Sequence, residues 1–259
     1  MSAATSVLPL PEGLGQPPAG VRVCTAADAQ TLAGLLARRV ALALSEALAQ
    51  RPVASLWVSG GSTPLPFFQA LSAQVLDWSR VTVGLVDDRW CASDSPDSNA
   101  GLVRRHLLVG PAAAASWVGL VPEGVASPFD AEASVQARLD ACPWPADVVV
   151  LGMGGDGHTA SWFPETAQYE QALSPATQPR GVATEAPALP NVPRPRFTLT
   201  LGAVRDSRLI CLHFTGAAKA DLLGRVWRSD MKNAPVGALW QVPRLPGQVM
   251  PPVEAYWAP

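Results

Sequence analysis

The chain has 259 residues, 48% of them hydrophobic and 15% charged, and a formal net charge of −2. That length holds one large α/β domain or two small ones, with a sizeable buried core. No block of like charge points to a nucleic acid or an anionic membrane surface, and the apolar runs are too short and interrupted for a membrane-spanning helix.

The first stretch, MSAATSVLPLPEGLGQPP, lacks the basic and apolar regions of a signal peptide, so residues 1–20 read as an extended Pro- and Gly-rich lead-in. Residues 21–259 are expected to form a single α/β domain. Residues 25–51 predict an amphipathic helix, with Leu32, Leu35, Leu36, Val40, Leu44 and Leu48 at helical spacing. Thr25 is its expected cap, with Asp28 in a loose capping-box arrangement. VASLWVS (53–59) reads as a buried strand, then GGSTP, then a helix over LPFFQAL whose first turn suits Pro64. VTVGLV (81–86) is a second buried strand, ending in the polar cluster Asp87, Asp88 and Arg89. Ser98 or Asp97 can cap a helix over NAGLVRRHLL, and Ser127 and Pro128 open another that runs to about Leu139. DVVVLGM (147–153) is a third apolar strand. GVATEA (181–186) and RFTLTL (196–201) predict further strands, separated by PALPNVPRP. RLICLHF (208–214) is another, followed by a helix over GAAKADLLGRVW (216–227). Strands alternating with helices imply a parallel or mixed sheet covered on both faces, with a small antiparallel excursion around 180–201.

Cys24, Cys91, Cys142 and Cys211 are scattered, with no C-x-x-C pair, which suggests neither a disulfide framework nor a zinc site. A reducing, cytoplasmic setting is expected. No two histidines have metal-ligand spacing, so neither a metal nor a cofactor is expected. His106 lies on a helix and His213 in an apolar strand, and both read as structural.

Ligands of open α/β sheets bind beyond the carboxyl ends of the strands. Three polar loops fall there: SGGSTP, DDRW and GMGGDGH. If their strands are parallel neighbours, the loops converge on one crevice. The last loop has the order G-x-G-x-x-G in Gly152, Gly154 and Gly157, as a dinucleotide loop would. That fingerprint needs an unbroken helix after its third glycine. Pro164 and Pro175 interrupt this one, and a helix-interior proline costs about 3 kcal/mol. The same glycines can instead form a platform for His158, an imidazole able to act as a base near neutral pH, or His158 can simply bond its own loop. Gly60, Gly61, Ser62 and Thr63 lie between a strand and a helix start, where backbone amides, hydroxyls and the helix dipole favour a phosphate. No Lys-Ser/Thr completes a Walker loop, so a small phosphorylated metabolite fits better than a nucleotide triphosphate. Asp87 can orient an imidazole or accept a sugar hydroxyl, and Arg89 can clamp phosphate in a bidentate fork. Lys219 stands in the first turn of a helix, where a cation opposes the dipole unless an anion is near. Arg196 is either a further phosphate ligand or an ordinary strand-edge charge.

Taken together, SGGSTP (59–64), VDDRW with PDSN, LGMGGDGHTASWFP, PRFTLTL and GAAKADLL resemble the 6-phosphogluconolactonase family. They occur in the family's order across roughly residues 53–223. Asp88 stands where the family usually has Glu, and Trp162 where Leu is more usual. The resemblance implies a three-layer α/β/α sandwich with a Rossmann-like, mostly parallel sheet. It also implies hydrolysis of 6-phospho-D-glucono-1,5-lactone to 6-phosphogluconate, in the oxidative pentose phosphate pathway. The expected partner is this phosphorylated sugar lactone alone, with no nucleic acid and no membrane, and the chain is expected to be a monomer. On this reading SGGSTP, Arg89, Lys219 and Arg196 hold the phosphate, with Asn99 in support. His158 takes a proton from water, Asp87 orients His158 or a substrate hydroxyl, and amides around Gly154, Gly155, Asp156 and Gly157 receive the oxyanion. Asp156 stiffens the loop.

Glucosamine-6-phosphate deaminases look similar around SGGSTP and GGDGH. They place a Glu five residues after the loop histidine, where this chain has Phe163; Glu165 lies two residues further on. Ser161 is a rival nucleophile, although the G-x-S-x-G elbow is absent. A non-catalytic sugar-phosphate sensor is the alternative of a different class.

Overall fold

Short apolar strands with no polar face have to be covered on both sides. The computed structural model describes residues 9–229, 231 and 234–259. In chain order these form β1 (Val21–Thr25), α1 (Ala29–Gln50), β2 (Ala54–Val58), α2 (Leu65–Ser72), β3 (Val81–Leu85), β4 (Asp87–Arg89), α3 (Asn99–His106), β5 (Ser116–Val118) and α4 (Pro128–Asp140). There follow β6 (Val148–Gly152), α5 (Tyr169–Ala172), β7 (Gly181–Thr184), β8 (Arg196–Leu199), α6 (Leu201–Arg205), β9 (Ile210–Thr215), α7 (Ala217–Trp227), α8 (Ala238–Gln241) and β10 (Val253–Ala258).

Seven strands make one sheet in the order β1-β10-β9-β6-β2-β3-β5, with every pairing parallel. Helices flank it. α1 lays Leu32, Leu36, Val40 and Leu44 into the core, against β2 and β10. Trp57 of β2 is fully buried and stacks on Trp144, ring centroids 5.1 Å apart. Each such buried side chain contributes roughly 1.5–3 kcal/mol. The antiparallel excursion is a second sheet, β4-β8-β7. No helix among the described residues is long and apolar enough to cross a membrane.

Several boundaries differ from the sequence reading. Thr25 ends β1 and does not cap α1; Asp28 caps it, its carboxylate accepting from the Thr31 amide at 2.7 Å. RFTLTL stops being a strand at Leu199, because the Thr200 hydroxyl accepts from the Ala203 amide and starts α6. GVATEA is strand only to Thr184. Of the expected lead-in, residues 1–8 lie outside the described residues. Glu12–Leu14 forms a 3-10 turn that buries Leu14 and packs on α7. β1, β5 and β10 were not foreseen. Glu254 breaks the apolar run of β10, yet it is buried there, held by Arg39 Nε at 3.1 Å and the Tyr256 hydroxyl at 2.8 Å.

From the adjacent pair β2 and β6 the chain builds outwards in opposite directions, to β3 and β5 on one side and to β9 and β10 on the other. Loops leaving such a pair diverge and leave a crevice at the strand C-termini, where open α/β sheets bind ligands.

Candidate active site

SGGSTP leaves β2 and GMGGDGH leaves β6, so both loops rim the crevice. β4 follows β3 and pairs antiparallel with β8, which sets Arg89 opposite Arg196. α7 follows β9 and brings up Lys219. The resulting crevice, about 210 Å³, collects Gly60, Gly61, Ser62, Thr63, Asp87, Arg89, Asn99, Gly154, His158, Arg196 and Lys219. Gly155, Asp156 and Gly157, expected beside them, do not line it.

The imidazole lies over Gly154, where a Cβ would overlap the His158 ring. Its Nδ1 is 2.5 Å from Asp156 Oδ1, which also accepts the His158 amide at 3.1 Å. Asn191 Nδ2 donates to the other Asp156 oxygen at 3.1 Å. Burial alone would raise the Asp156 carboxyl, but the hydrogen bonds and charge of His158, with Asn191, hold it well below the usual carboxylate range. Phe163 packs against the imidazole with ring centroids 4.8 Å apart, and Glu165 is engaged elsewhere, accepting from the Ala188 amide.

Asp87 therefore does not orient His158. Its Oδ2 accepts from Ser161 Oγ at 2.5 Å and pairs with Arg196 Nη1 at 3.9 Å. The segment is not helical at this point: Ala160 has φ 51° and turns the chain, so Ser161 is buried, 1% exposed, and absent from the crevice wall. That removes it as a nucleophile. The glycine amides also differ from expectation. Gly154 N–H donates to the His158 carbonyl and Gly157 N–H to the Gly154 carbonyl, so neither is free for an oxyanion.

The cations are held in place before any ligand arrives. Arg89 Nη1 donates to the Asp97 carbonyl at 3.0 Å and to Asn99 Oδ1 at 2.8 Å. Asn99 Nδ2 donates to the Asp87 carbonyl, while buried Asp88 accepts the amides of Asn99 and Ala100. Asn99 stands so close to Gly60 that a Cβ there would overlap it. Arg196 is nearly fully buried, donates to the Val192 carbonyl and lies 5.0 Å over the Phe163 ring. Burial pulls its pKa down, against the pull of Asp87. Lys219 Nζ donates to the Met153 carbonyl at 2.7 Å; burial lowers its pKa too, opposed by Asp156. Three cationic side chains and one carboxylate on a single wall favour an anion.

Sequence reasoning missed Thr159, Ala160 and His213, all on the crevice wall. His213 was read as structural. Burial and the nearby Lys219 charge push it down to about 4, so it is neutral near pH 7. Ser59 Oγ, Arg89 Nε, Thr159 Oγ1, Arg196 Nε and His213 Nε2 are buried without a partner among the described residues. Native folds leave few such atoms, and all five belong to residues that line the crevice, as a site for a polar ligand would have them. No cluster of His, Cys, Asp and Glu able to hold a metal ion occurs among the described residues.

Comparison with known proteins bears on this geometry. The family model described as glucosamine-6-phosphate isomerases/6-phosphogluconolactonase matches residues 27–245. A 6-phosphogluconolactonase of Mesorhizobium japonicum is 43% identical over 237 residues, covering 90% of this chain and 93% of its own length. One from Pseudomonas putida is 40% identical, over 93% of this chain and 95% of its own. The crystal structure of a 6-phosphogluconolactonase from Shewanella baltica superposes with a TM-score of 0.85 at 38% identity, over 94% of this chain and 100% of that one.

Proposed function

Because the chain belongs to the glucosamine-6-phosphate isomerase/6-phosphogluconolactonase family, we propose that its crevice adds water to the ring ester of 6-phospho-D-glucono-1,5-lactone, with His158 as general base. The activity is that of a 6-phosphogluconolactonase, a lactone hydrolase. The observation that carries the mechanism is the His158–Asp156 contact on the wall of a crevice lined by three cations.

Asp156 accepts from Nδ1–H, which fixes the neutral tautomer whose lone pair is on Nε2. Arg89, Arg196 and Lys219, with the amides and hydroxyls of Gly60–Thr63, grip the phosphate at the far end of the substrate. That anchoring turns an encounter into a positioned reaction. Nε2 takes a proton as the water oxygen bonds to C1. The carbonyl oxygen becomes an oxyanion, a charge whose stabilisation is usually worth several kcal/mol. Thr159 and Ala160 line the crevice, and their amides are the donors we assign to it. The C1–ring oxygen bond then breaks, and the imidazolium returns its proton to the departing ring oxygen. Asp87, fixed by Ser161 and Arg196, accepts a sugar hydroxyl.

The test is a lactonase assay and a product-binding titration on wild type and His158→Ala. Turnover is expected to fall by roughly 10²–10⁴-fold while 6-phosphogluconate affinity stays within a few-fold. Undiminished turnover in the variant would remove His158 from the chemistry. Binding without turnover in the wild type as well would make the protein a sensor.

A further inference from the structure

A second cavity, about 350 Å³, lies at the opposite end of the sheet from the crevice. Its wall includes Arg205, the last residue of α6, and Ser207, from the link between α6 and β9, so it borders the start of β9. The parallel bridge between Ala146 and Ser207 fixes that link just ahead of β6 and β9.

Arg205 is 6% exposed. Its Nη2 is fully used, donating to the carbonyls of Ala238, Leu239 and Val242 around the end of α8. Its Nε and Nη1 have no partner among the described residues, and neither does the Ser207 hydroxyl. Arg244 lines the same cavity. Asp206 is the one acid among the described lining residues, and it is taken, pairing with Arg180 Nη1 at 2.9 Å. Burial, then the charge of Arg244, pushes Arg205 down to about 10. A buried guanidinium facing a second cation with no carboxylate to offset it is costly unless an anion joins it.

We propose that this cavity binds a small oxyanion, a phosphate or a carboxylate, through Arg205 and Arg244 with the Ser207 hydroxyl as an added donor. The site is separate from the crevice and does not depend on the reaction assigned there.

Inorganic phosphate and acetate, titrated separately against wild type, Ser207→Ala and Arg244→Ala, test it. The Arg205 side-chain Nε–H resonance is the reporter, local enough that phosphate in the crevice does not register. A saturable shift is expected in the wild type, weakened about ten-fold in each variant, with lactonase turnover unchanged. The oxyanion that acts at lower concentration identifies the ligand class. A resonance indifferent to both oxyanions, or responding equally in all three proteins, would overturn the proposal.

Discussion

At the residue scale the account turns on what sits next to His158. The glycine loop was legible as a special turn at a strand end, though it suited a platform for a catalytic imidazole and a histidine bonded within its own loop alike. The identity of its carboxylate partner was not. In the sequence Asp87 is the candidate for that role and Asp156 a stiffener of the loop; only the fold shows Asp156 curling back onto Nδ1 and Asp87 meeting Ser161, 74 positions away. The close approach of the ring to Gly154 yields a sharp test. Gly154→Ala should displace the imidazole, and a misplacement of about 1 Å can cost roughly a hundred-fold. Steady-state kinetics should show kcat falling by that order with KM near wild type. An unchanged kcat would mean that the ring need not stand where it does.

At the element scale, strands that are unbroken apolar runs and helices with a 3.6-residue repeat were readable, as β2, β3, β6 and α1 show. β10 was not, because Glu254 interrupts it and only tertiary partners make its burial tolerable. The three-residue strands β4 and β5 carry too little pattern to announce themselves. α3 shows how an element serves the site. Ser98 caps it by accepting from the Gly101 amide at 3.0 Å, and its first residue, Asn99, orients Arg89. Ser98→Ala should cost about 1 kcal/mol of stability in urea unfolding. Loosening that turn should also raise KM a few-fold and leave kcat alone. A KM equal to that of the wild type would uncouple the cap from phosphate binding.

At the scale of the whole molecule, the convergence of three loops followed from parallel neighbours, but the strand order that makes β2 and β6 the switch point was not in the sequence pattern. Two buried groups give the folded chain opposing responses to acid. His213 sits at about 4 against an ordinary 6.5, so between those values the unfolded chain binds more protons and stability falls as pH drops, by about 3 kcal/mol. Asp88, raised by burial to about 6 from 3.8 despite its amide donors, holds its proton more readily when folded. Its contribution to stability therefore rises as pH falls through that window, by a similar amount, about 3 kcal/mol. The two nearly cancel. His213→Asn should unmask the second, so that unfolding free energies measured from pH 7 to 4 shift in the variant's favour by about 3 kcal/mol relative to wild type. Parallel curves for the two proteins would contradict this.

The central claim, a phosphate gripped at one end of the crevice and an ester carbon presented to His158 at the other, is tested most directly by the crystal structure of the complex with 6-phosphogluconate. The account predicts phosphate oxygens within hydrogen-bonding range of Lys219, Arg89, Arg196 and the Gly60–Thr63 turn, with the C1 carboxylate against His158 Nε2. A product lying the other way round, or with C1 out of the imidazole's reach, would contradict it.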